Sequence, residues 1–241
     1  MDIIKELTTK NFNNSSVTIR GDGELKSSVR VERYYTFFWG ALARQKKALE
    51  RIQKEVEEFE FKPANFDELD VDENIKEILK SSDTKLNALR NKYNYDLQDI
   101  RISIVLFSVN LLEGLINEFL ALNCEQEDFD KLQWESLDKK WTKVPKRFNT
   151  NYSVPNESVD LLKDMLNKRH IMTHGKTSVM IDGKEKITVD KLRTAVNETE
   201  LLFEYCALPE KLLDNLFLYF KEGEEIRLFK SVCNFLRTFK Y

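Results

Sequence analysis

The chain is poor in glycine and proline, with 7 and 4 residues respectively among 241. Average usage is about 12% for the two together, so much of the turn chemistry of sandwiches, barrels and glycine-rich nucleotide folds is missing. The charged fraction is 33% and the hydrophobic fraction is 41%, which is typical of a soluble globular protein. The composition therefore predicts an all-α fold.

Cysteine is also scarce, and Cys124, Cys206 and Cys233 form no C-x-x-C pair. This pattern disfavours a disulfide framework and a thiolate zinc site, and it indicates a reducing, cytoplasmic location. The longest uncharged apolar run, residues 102–112, is shorter than the roughly 20 residues that span a bilayer. The first residues lack the shape of a signal peptide, so we expect neither export nor a membrane partner. Phosphate-loop, G-x-S-x-G and H-E-x-x-H motifs are missing, which disfavours several large enzyme classes.

Helical periodicity organises the chain after residues 1–28, which we expect to form a loosely structured polar lead-in. Apolar residues from Tyr34 to Phe59 predict one long helix that ends at Pro63, and residues 81–83 predict a helix break with a new N-cap. Residues 97–122 are apolar on most of the helical circumference, which predicts a central helix or one also covered by a partner subunit. Glu113 interrupts this surface, so its carboxylate needs a cation or donors from elsewhere.

The second half of the chain shows clear helix boundaries. Residues 153–155 and Gly175 bracket a predicted helix over residues 156–174, and Asp182-Gly183 predicts a small β-hairpin after it. A further helix is expected to stop near Pro209, followed by amphipathic segments at 212–220 and 226–239. We therefore divide the chain into the lead-in, a helical domain at 29–208, and a C-terminal helical extension at 209–241 that packs on it.

The only two histidines, His170 and His174, lie four residues apart at the end of the 156–174 helix, directly after Arg169. Residues 169–174 satisfy the pattern Arg-x4-His with a polar residue second. Together with the long helices before it, the segment Val109 to Gly114, and the Gly-Lys pair after it, this pattern resembles the HEPN superfamily of helical ribonucleases and their inactive relatives. The resemblance covers residues 34–206 and implies an antiparallel helical bundle.

In that family the arginine and the final histidine cleave RNA without a metal, in a cleft between two copies of the domain. The resemblance therefore implies a homodimeric endoribonuclease without a cofactor, of the toxin–antitoxin or phage-defence type, with an antitoxin or other regulatory protein as a further partner. Cleavage through the ribose 2′-hydroxyl needs a base, an acid and cations. Arg169 would hold the phosphate, His174 would act as acid or base, and His170 would orient the substrate or act as a second acid–base group.

Helical geometry constrains this arrangement. His170 and His174 lie about 40° apart around the helix, whereas Arg169 and His174 lie about 140° apart, so both sides of the helix end must border the cleft. Glu113 is a candidate to hold Arg169 in place, and Thr173 is a second supporting residue. A basic rim would attract the RNA backbone by counterion release. We assign to it Lys139, Lys140, Lys143, Lys146, Arg147, Lys168 and Lys176.

Other functions stay open at this level. The chain could be a catalytically inactive HEPN-like module for dimerisation or for binding a protein or RNA, or a helical interaction protein without this ancestry, since cations near a helix C-terminus also complement its dipole. His170 and His174 could also chelate zinc or iron from one helical face, with Glu113 as a third ligand. Because no further histidine or paired cysteine completes that set, we expect no metal. We interpret Trp134 and Trp141 as packing residues because they share a helical spacing with Leu137 and Val144.

Overall fold

The computed structural model describes residues 14–21, 24–32, 35–173, 180–181, 184–185, 199–221 and 223–238. These residues are mostly helical, as the composition predicts. Their α-helices are α1 (Tyr35–Glu57), α2 (Glu73–Ser82), α3 (Lys85–Asn123), α4 (Gln126–Leu132), α5 (Leu137–Thr142), α6 (Asn156–Thr173), α7 (Thr199–Tyr219) and α8 (Glu224–Thr238). Four strands, β1 (Asn14–Gly21), β2 (Glu24–Glu32), β3 (Met180–Ile181) and β4 (Lys184–Glu185), and a 3-10 turn, Pro145–Arg147, complete them.

Strands β1 and β2 form an antiparallel pair in part of the segment that was expected to be a loosely structured lead-in. That expectation is wrong for these residues. Val17 and Ile19 alternate with polar residues, as do Val29 and Val31, on either side of Gly21-Asp22-Gly23, and this pattern is typical of a hairpin. Strands β3 and β4 also pair antiparallel, and the Asp182-Gly183 turn expected between them lies outside the described residues.

Helix α3 is the centre of the bundle, because α1, α4, α5, α6, α7 and α8 all pack against it. It has 39 residues and is therefore about 58 Å long. A helix that is apolar on most sides must be covered on most sides, and Ile104, Leu112, Leu115 and Phe119 are all fully buried. The predicted central helix is thus confirmed. By length and composition alone α3 could also cross a membrane, although most of its apolar window is buried inside the fold, as in a core helix.

The predicted break before α3 is confirmed as well. Helix α2 ends at Ser82, and α3 begins after Thr84, whose side chain accepts a 3.2 Å hydrogen bond from the main-chain nitrogen of Asn87. Helix α2 has a cap of its own in Asp72, whose carboxylate accepts a 2.8 Å hydrogen bond from the nitrogen of Asn74. None of the α2 residues is buried, so this helix lies at the edge of the bundle.

Helix α1 runs antiparallel to α3. The Tyr35 hydroxyl donates a 2.5 Å hydrogen bond to Glu118 Oε2 at one end, and the Tyr93 hydroxyl donates a 3.2 Å bond to Glu55 Oε2 at the other. The close approach of α1 to α3 near Tyr35 depends on Gly114, because a Cβ added at Gly114 would lie 2.5 Å from the Tyr35 Cβ. Helix α1 ends at Glu57, several residues before Pro63, so the prediction that Pro63 terminates it is wrong.

Helix α7 runs parallel to α3 and antiparallel to α6. Its direction relative to α3 follows from the contact of Ser108 with Tyr205 and from the rings of Phe119 and Phe220, whose centroids are 4.8 Å apart. Its direction relative to α6 follows from two further contacts, Lys168 with Tyr205 and Asn215 with the Ser153 carbonyl. The C-terminal end of α6, the first described turn of α7 and the N-terminal half of α3 therefore lie at the same end of the bundle, which we call the motif end.

The expected helix stop near Pro209 is wrong, because α7 continues through this proline. Proline has no N–H, so the carbonyl of Tyr205, four residues earlier, loses its helical partner. The Ser108 hydroxyl on α3 donates a 3.2 Å hydrogen bond to that carbonyl instead. A side chain from α3 thus supplies the hydrogen-bond donor that Pro209 cannot offer to the Tyr205 carbonyl. The predicted boundary between residues 208 and 209 consequently falls inside one helix.

Candidate functional site

The predicted motif lies at the C-terminal end of α6 (Asn156–Thr173), and the start of this helix at Asn156 confirms the predicted start. The predicted end at residues 174–175 lies outside the described residues. Arg169 and His170 are both exposed in the last turns of α6. His174, Gly175 and Lys176 and the side chain of Thr173 lie outside the described residues. The structure therefore brings Arg169 and His170 together at an accessible helix end, and the placement of His174 relative to them stays a prediction.

A hydrogen-bonded network of the buried Lys168 and Tyr205 with the half-buried Asp164 joins α6 to α7, one residue before Arg169. Lys168 Nζ donates a 2.7 Å hydrogen bond to Asp164 Oδ2 and a 2.6 Å bond to the Tyr205 hydroxyl. The Tyr205 hydroxyl in turn donates to the Asp164 carboxylate. Tyr205 is fully buried and Lys168 is only 7% exposed. Because its ammonium is committed to these partners, Lys168 does not belong to an RNA-binding rim, which corrects our assignment.

Glu113 has a different cation from the one expected. Lys140 on α5 donates from Nζ to the Glu113 carboxylate and, at 3.0 Å, to Asn117 Oδ1. The expectation that the Glu113 carboxylate meets a cation from elsewhere in the chain is therefore confirmed, but that cation is Lys140 and not Arg169. Arg169 does not pair with Glu113 because of where the two residues lie along the bundle. Glu113 lies five residues after Ser108 on α3, which is farther from the motif end.

The basic segment at residues 139–147 is only partly available to a ligand. Lys140 is 1% exposed and paired, so its assignment to an RNA-binding rim is wrong. Lys139 is exposed and forms a 3.2 Å salt bridge to Glu135. Exposed basic residues that keep the rim assignment are Lys139, Lys143, Lys146 and Arg147. Because α5 packs near residues 113–117 of α3, this rim lies about 10 Å along α3 from the level of Lys168.

The two tryptophans beside this segment differ. Trp141 is fully buried and its Nε1 donates a 3.3 Å hydrogen bond to the Leu112 carbonyl, which confirms that it is a packing residue. Trp134 is 84% exposed, so the same interpretation is wrong for it. It precedes α5, in the turn after α4, where helical spacing does not decide which side chains face the core.

Arg101 on α3 is the residue at the motif end that sequence reasoning missed. It lies seven residues before Ser108, and seven residues are about 20° short of two full turns, so both residues share the helix face that meets α7. Arg101 Nε is buried and has no hydrogen-bond partner in the part of the chain that the structure describes. Burial lowers the pKa of the guanidinium. The available signal was a lone cation between Ile100 and Ile102, at the start of the uncharged run.

The described residues contain no group of three or more His, Cys, Asp or Glu side chains placed to hold a metal ion. His174, which the metal alternative requires, is not among those residues. Comparisons of the chain with protein-family models, with curated proteins and with solved structures find no match. Function must therefore follow from the side chains at the motif end and their chemistry.

Proposed function

We propose that this protein is a HEPN-like endoribonuclease that cleaves RNA without a metal, through attack by the ribose 2′-hydroxyl. The observation that carries the proposal is the pair of exposed residues Arg169 and His170 in the last turns of α6. The hydrogen-bonded network of Asp164, Lys168 and Tyr205 holds the preceding turn of α6 against α7. Catalytic side chains are effective when rigid elements and buried hydrogen bonds hold their backbone in place, and this helix end meets that requirement.

The chemistry uses two acid–base groups and one permanent cation. A base removes the proton of the 2′-hydroxyl, the freed oxygen attacks phosphorus, and the bond to the 5′-oxygen breaks as an acid protonates that leaving group. The products are a 2′,3′-cyclic phosphate and a 5′-hydroxyl. Imidazole, with a reference pKa of about 6.5, can act in either role, so we assign these steps to His174 and His170. The Arg169 guanidinium binds the phosphoryl oxygens as a planar fork.

The proposal includes a homodimer in the cytoplasm, in which the motif ends of two copies border one cleft. Helix α6 then presents one side to each edge of the cleft, which accommodates the wide angular separation of Arg169 and His174. The exposed rim of Lys139, Lys143, Lys146 and Arg147 would attract the RNA backbone at a distance from the reacting phosphate. A toxin or phage-defence role, with an antitoxin or regulatory partner, is the biological setting that this activity fits.

The test is an assay with purified protein, generic single-stranded RNA and excess EDTA. We expect wild type to release fragments that end in a 2′,3′-cyclic phosphate. Arg169→Ala and His174→Ala should each lower the rate by at least about a hundredfold, and His170→Ala by less. Lys163→Ala is the matched control, because Lys163 is an exposed base on the same helix, and it should leave the rate unchanged.

Two results would overturn the proposed nuclease function. Cleavage that is unaffected by both Arg169→Ala and His174→Ala would remove the motif from the mechanism. Absence of cleavage from wild-type protein, over a range of RNAs and pH values, would instead favour the second candidate.

The second candidate is a catalytically inactive HEPN-like module that dimerises or binds a protein or RNA partner. The observation that favours it is that Arg169 and His170 lie in the last turns of α6, where cations complement the helix dipole. In that case Arg169→Ala should cost about 0.3–1 kcal/mol of unfolding free energy, and dimerisation should persist without any RNA cleavage.

A further inference from the structure

Trp134 is a large aromatic side chain that the fold leaves in solvent. It is 84% exposed in the turn between α4 and α5, whereas the other two tryptophans of the chain, Trp39 and Trp141, are buried. An indole has two broad apolar faces, and burying it would contribute strongly to folding. Because Trp134 makes no such contribution, its ring is available to stack on a ligand.

The segment that follows Trp134 presents cations to the solvent. Its buried residues recur every three or four positions and are Leu137, Lys140, Trp141 and Val144. Lys139 and Lys143 lie on the opposite side of α5, one turn apart, and the main-chain nitrogen of Lys143 donates a 2.8 Å hydrogen bond to the Lys139 carbonyl. With Lys146 and Arg147 in the following 3-10 turn, these lysines form the exposed RNA-binding rim.

The acids near Trp134 leave the basic surface continuous on one side only. No acid lies between residues 139 and 147, and Glu135, between Trp134 and the rim, forms the 3.2 Å salt bridge to Lys139. Asp138 is half-buried. The exposed acids of α4, which precede Trp134, are Glu127, Asp128 and Asp130. Trp134 therefore stands at the boundary between an acidic helix and the rim, where a polyanion drawn to the rim would end.

We infer that Trp134 and the rim together bind single-stranded RNA, with the phosphates on the rim and an unpaired base stacked on the Trp134 indole. Proteins bind single strands without reading their sequence by combining cations with exposed aromatic rings, because every base has a flat π face. A duplex stacks its base faces internally, so this surface selects unpaired RNA. The identity of the ligand as RNA rests on the proposed function, whereas affinity for a single strand follows from the charge and the exposed ring.

This binding surface is separate from the proposed active site. The rim lies about 10 Å along α3 from the level of Lys168, so it contacts a different part of the strand from the phosphate that Arg169 would hold. Loss of Trp134 should therefore weaken binding while the acid–base groups stay in place.

The first experiment follows tryptophan fluorescence during titration with a short deoxyuridine strand in EDTA. The strand lacks the 2′-hydroxyl, so the proposed reaction cannot cleave it. Stacking of a base quenches indole emission, and Trp134 is the tryptophan that a ligand can reach, because Trp39 and Trp141 are buried. We expect quenching of wild type but not of Trp134→Phe. An abasic strand of the same length keeps the phosphates without the bases, and it should leave the emission of wild type unchanged.

The second experiment measures the Kd of the same strands by fluorescence anisotropy of a label on the strand. Trp134→Ala should raise the Kd of the deoxyuridine strand about tenfold and leave the Kd of the abasic strand unchanged. The slope of log Kd against log salt should not change, because the indole carries no charge. Trp134→Phe should lose less affinity because it keeps a ring.

Tyr95→Ala is the matched control for both experiments. Tyr95 is an aromatic residue of similar exposure, 80%, on α3, and it lies about 30 Å along that helix from the level of the rim. Its replacement should change neither the quenching nor any Kd. If Trp134→Ala fails to fold by circular dichroism, the comparison of the two strands on wild type still decides between stacking and purely electrostatic binding.

Three results would overturn the stacking surface. They are equal quenching of wild type by the deoxyuridine and abasic strands, an unchanged Kd of the deoxyuridine strand for folded Trp134→Ala, and equal losses of affinity for both strands in that variant. In the second case, a change of oligomeric mass on sedimentation would assign Trp134 to a protein contact instead.

The stacking surface and the nuclease fail separately. Base-dependent binding that requires Trp134, in a protein that never cleaves RNA, would keep the surface and reject the nuclease. Cleavage that Arg169→Ala abolishes, together with an unchanged Kd for Trp134→Ala, would keep the nuclease and reject the surface.

Discussion

The Ser108 hydroxyl donates a 3.2 Å hydrogen bond to the main-chain carbonyl of Tyr205, the carbonyl that Pro209 leaves without its helical partner. Tyr205 thereby contacts α3 through its main chain and α6 through its side-chain hydroxyl, which meets Lys168 and Asp164. One residue of α7 thus connects the central helix to the helix that carries the motif. We therefore expect this connection to fix the position of Arg169 along the bundle axis relative to α3.

Ser108→Ala should lower the free energy of unfolding by about 1–3 kcal/mol, because the buried Tyr205 carbonyl would then lose the hydrogen bond from the Ser108 hydroxyl. In a Pro209→Ala background the residue at 209 regains its N–H and can satisfy that carbonyl. The cost of Ser108→Ala should then fall to less than half. Urea denaturation of the four proteins in this cycle measures the difference, and equal costs in both backgrounds would show that Pro209 is not the reason for the hydrogen bond.

Lys140→Met should lower the free energy of unfolding by about 1–3 kcal/mol, because Glu113 and Asn117 lose their buried partner. Since Lys140 is buried, the salt dependence of RNA binding should not change. Lys143→Met, an exposed neighbour, should show the opposite pattern, with unchanged stability and a weaker salt dependence. Denaturation and salt-dependent binding of the two variants provide the comparison. A fall in salt dependence for Lys140→Met would return Lys140 to the RNA-binding rim.

Gly114→Ala should destabilise the protein by about 1–3 kcal/mol. The new Cβ would lie 2.5 Å from the Cβ of Tyr35, an atom attached to the α1 backbone, so relief requires the two helices to move apart. Alanine favours helices over glycine by up to about 1 kcal/mol, and the steric conflict must exceed that gain for the variant to lose stability. Thermal denaturation is the measurement, and Gly114→Ser should cost more than Gly114→Ala. A stabilised Gly114→Ala would mean that α1 and α3 separate easily at this contact.

Stability should decrease between pH 9 and pH 11 partly because of Cys206. Burial raises the pKa of its thiol from the ordinary 9.0 to about 12. Below pH 9 both the folded and unfolded states hold the proton, so the thiol adds no pH dependence. Above pH 9 the unfolded thiol ionises while the folded one does not, which favours unfolding. Urea denaturation at pH 8, 9, 10 and 11 should therefore show a steeper decline for wild type than for Cys206→Ala, and parallel declines would contradict this assignment.

Much of the fold could be predicted from the sequence because it depends on local periodicity and capping. Helix α3 was identified because its apolar residues cover most of the helical circumference. The starts of α3 and α6 were identified from the polar break before Thr84 and from the residues before Asn156. The continuation of α7 through Pro209 could not be predicted, because the compensating hydroxyl comes from Ser108, far away in the chain. The hairpin of β1 and β2 had a visible alternation that the polar composition of its segment obscured.

The candidate site divides in the same way. The helix that carries Arg169 and His170, and its start at Asn156, followed from residues 153–155, whereas its predicted stop at Gly175 lies outside the described residues. The burial of Lys140 and Lys168 did not, because a lysine in a basic run looks solvated until the partner that buries it is known. Arg101 was missed for the converse reason, since only tertiary structure reveals a cation that is partly buried and whose Nε has no hydrogen-bond partner among the described residues.

Helix α2 contributes no buried residue, so its two ends are retained mainly by their caps and by the connections to α1 and α3. Local opening of such an element exposes little apolar surface and needs far less free energy than global unfolding. A protease should therefore nick the chain within residues 73–82 while the core stays folded. The two fragments should remain associated and elute together on gel filtration. The reason is that α1 and α3, which lie on opposite sides of the nick, pack against each other between the Tyr35–Glu118 contact and the Tyr93–Glu55 contact.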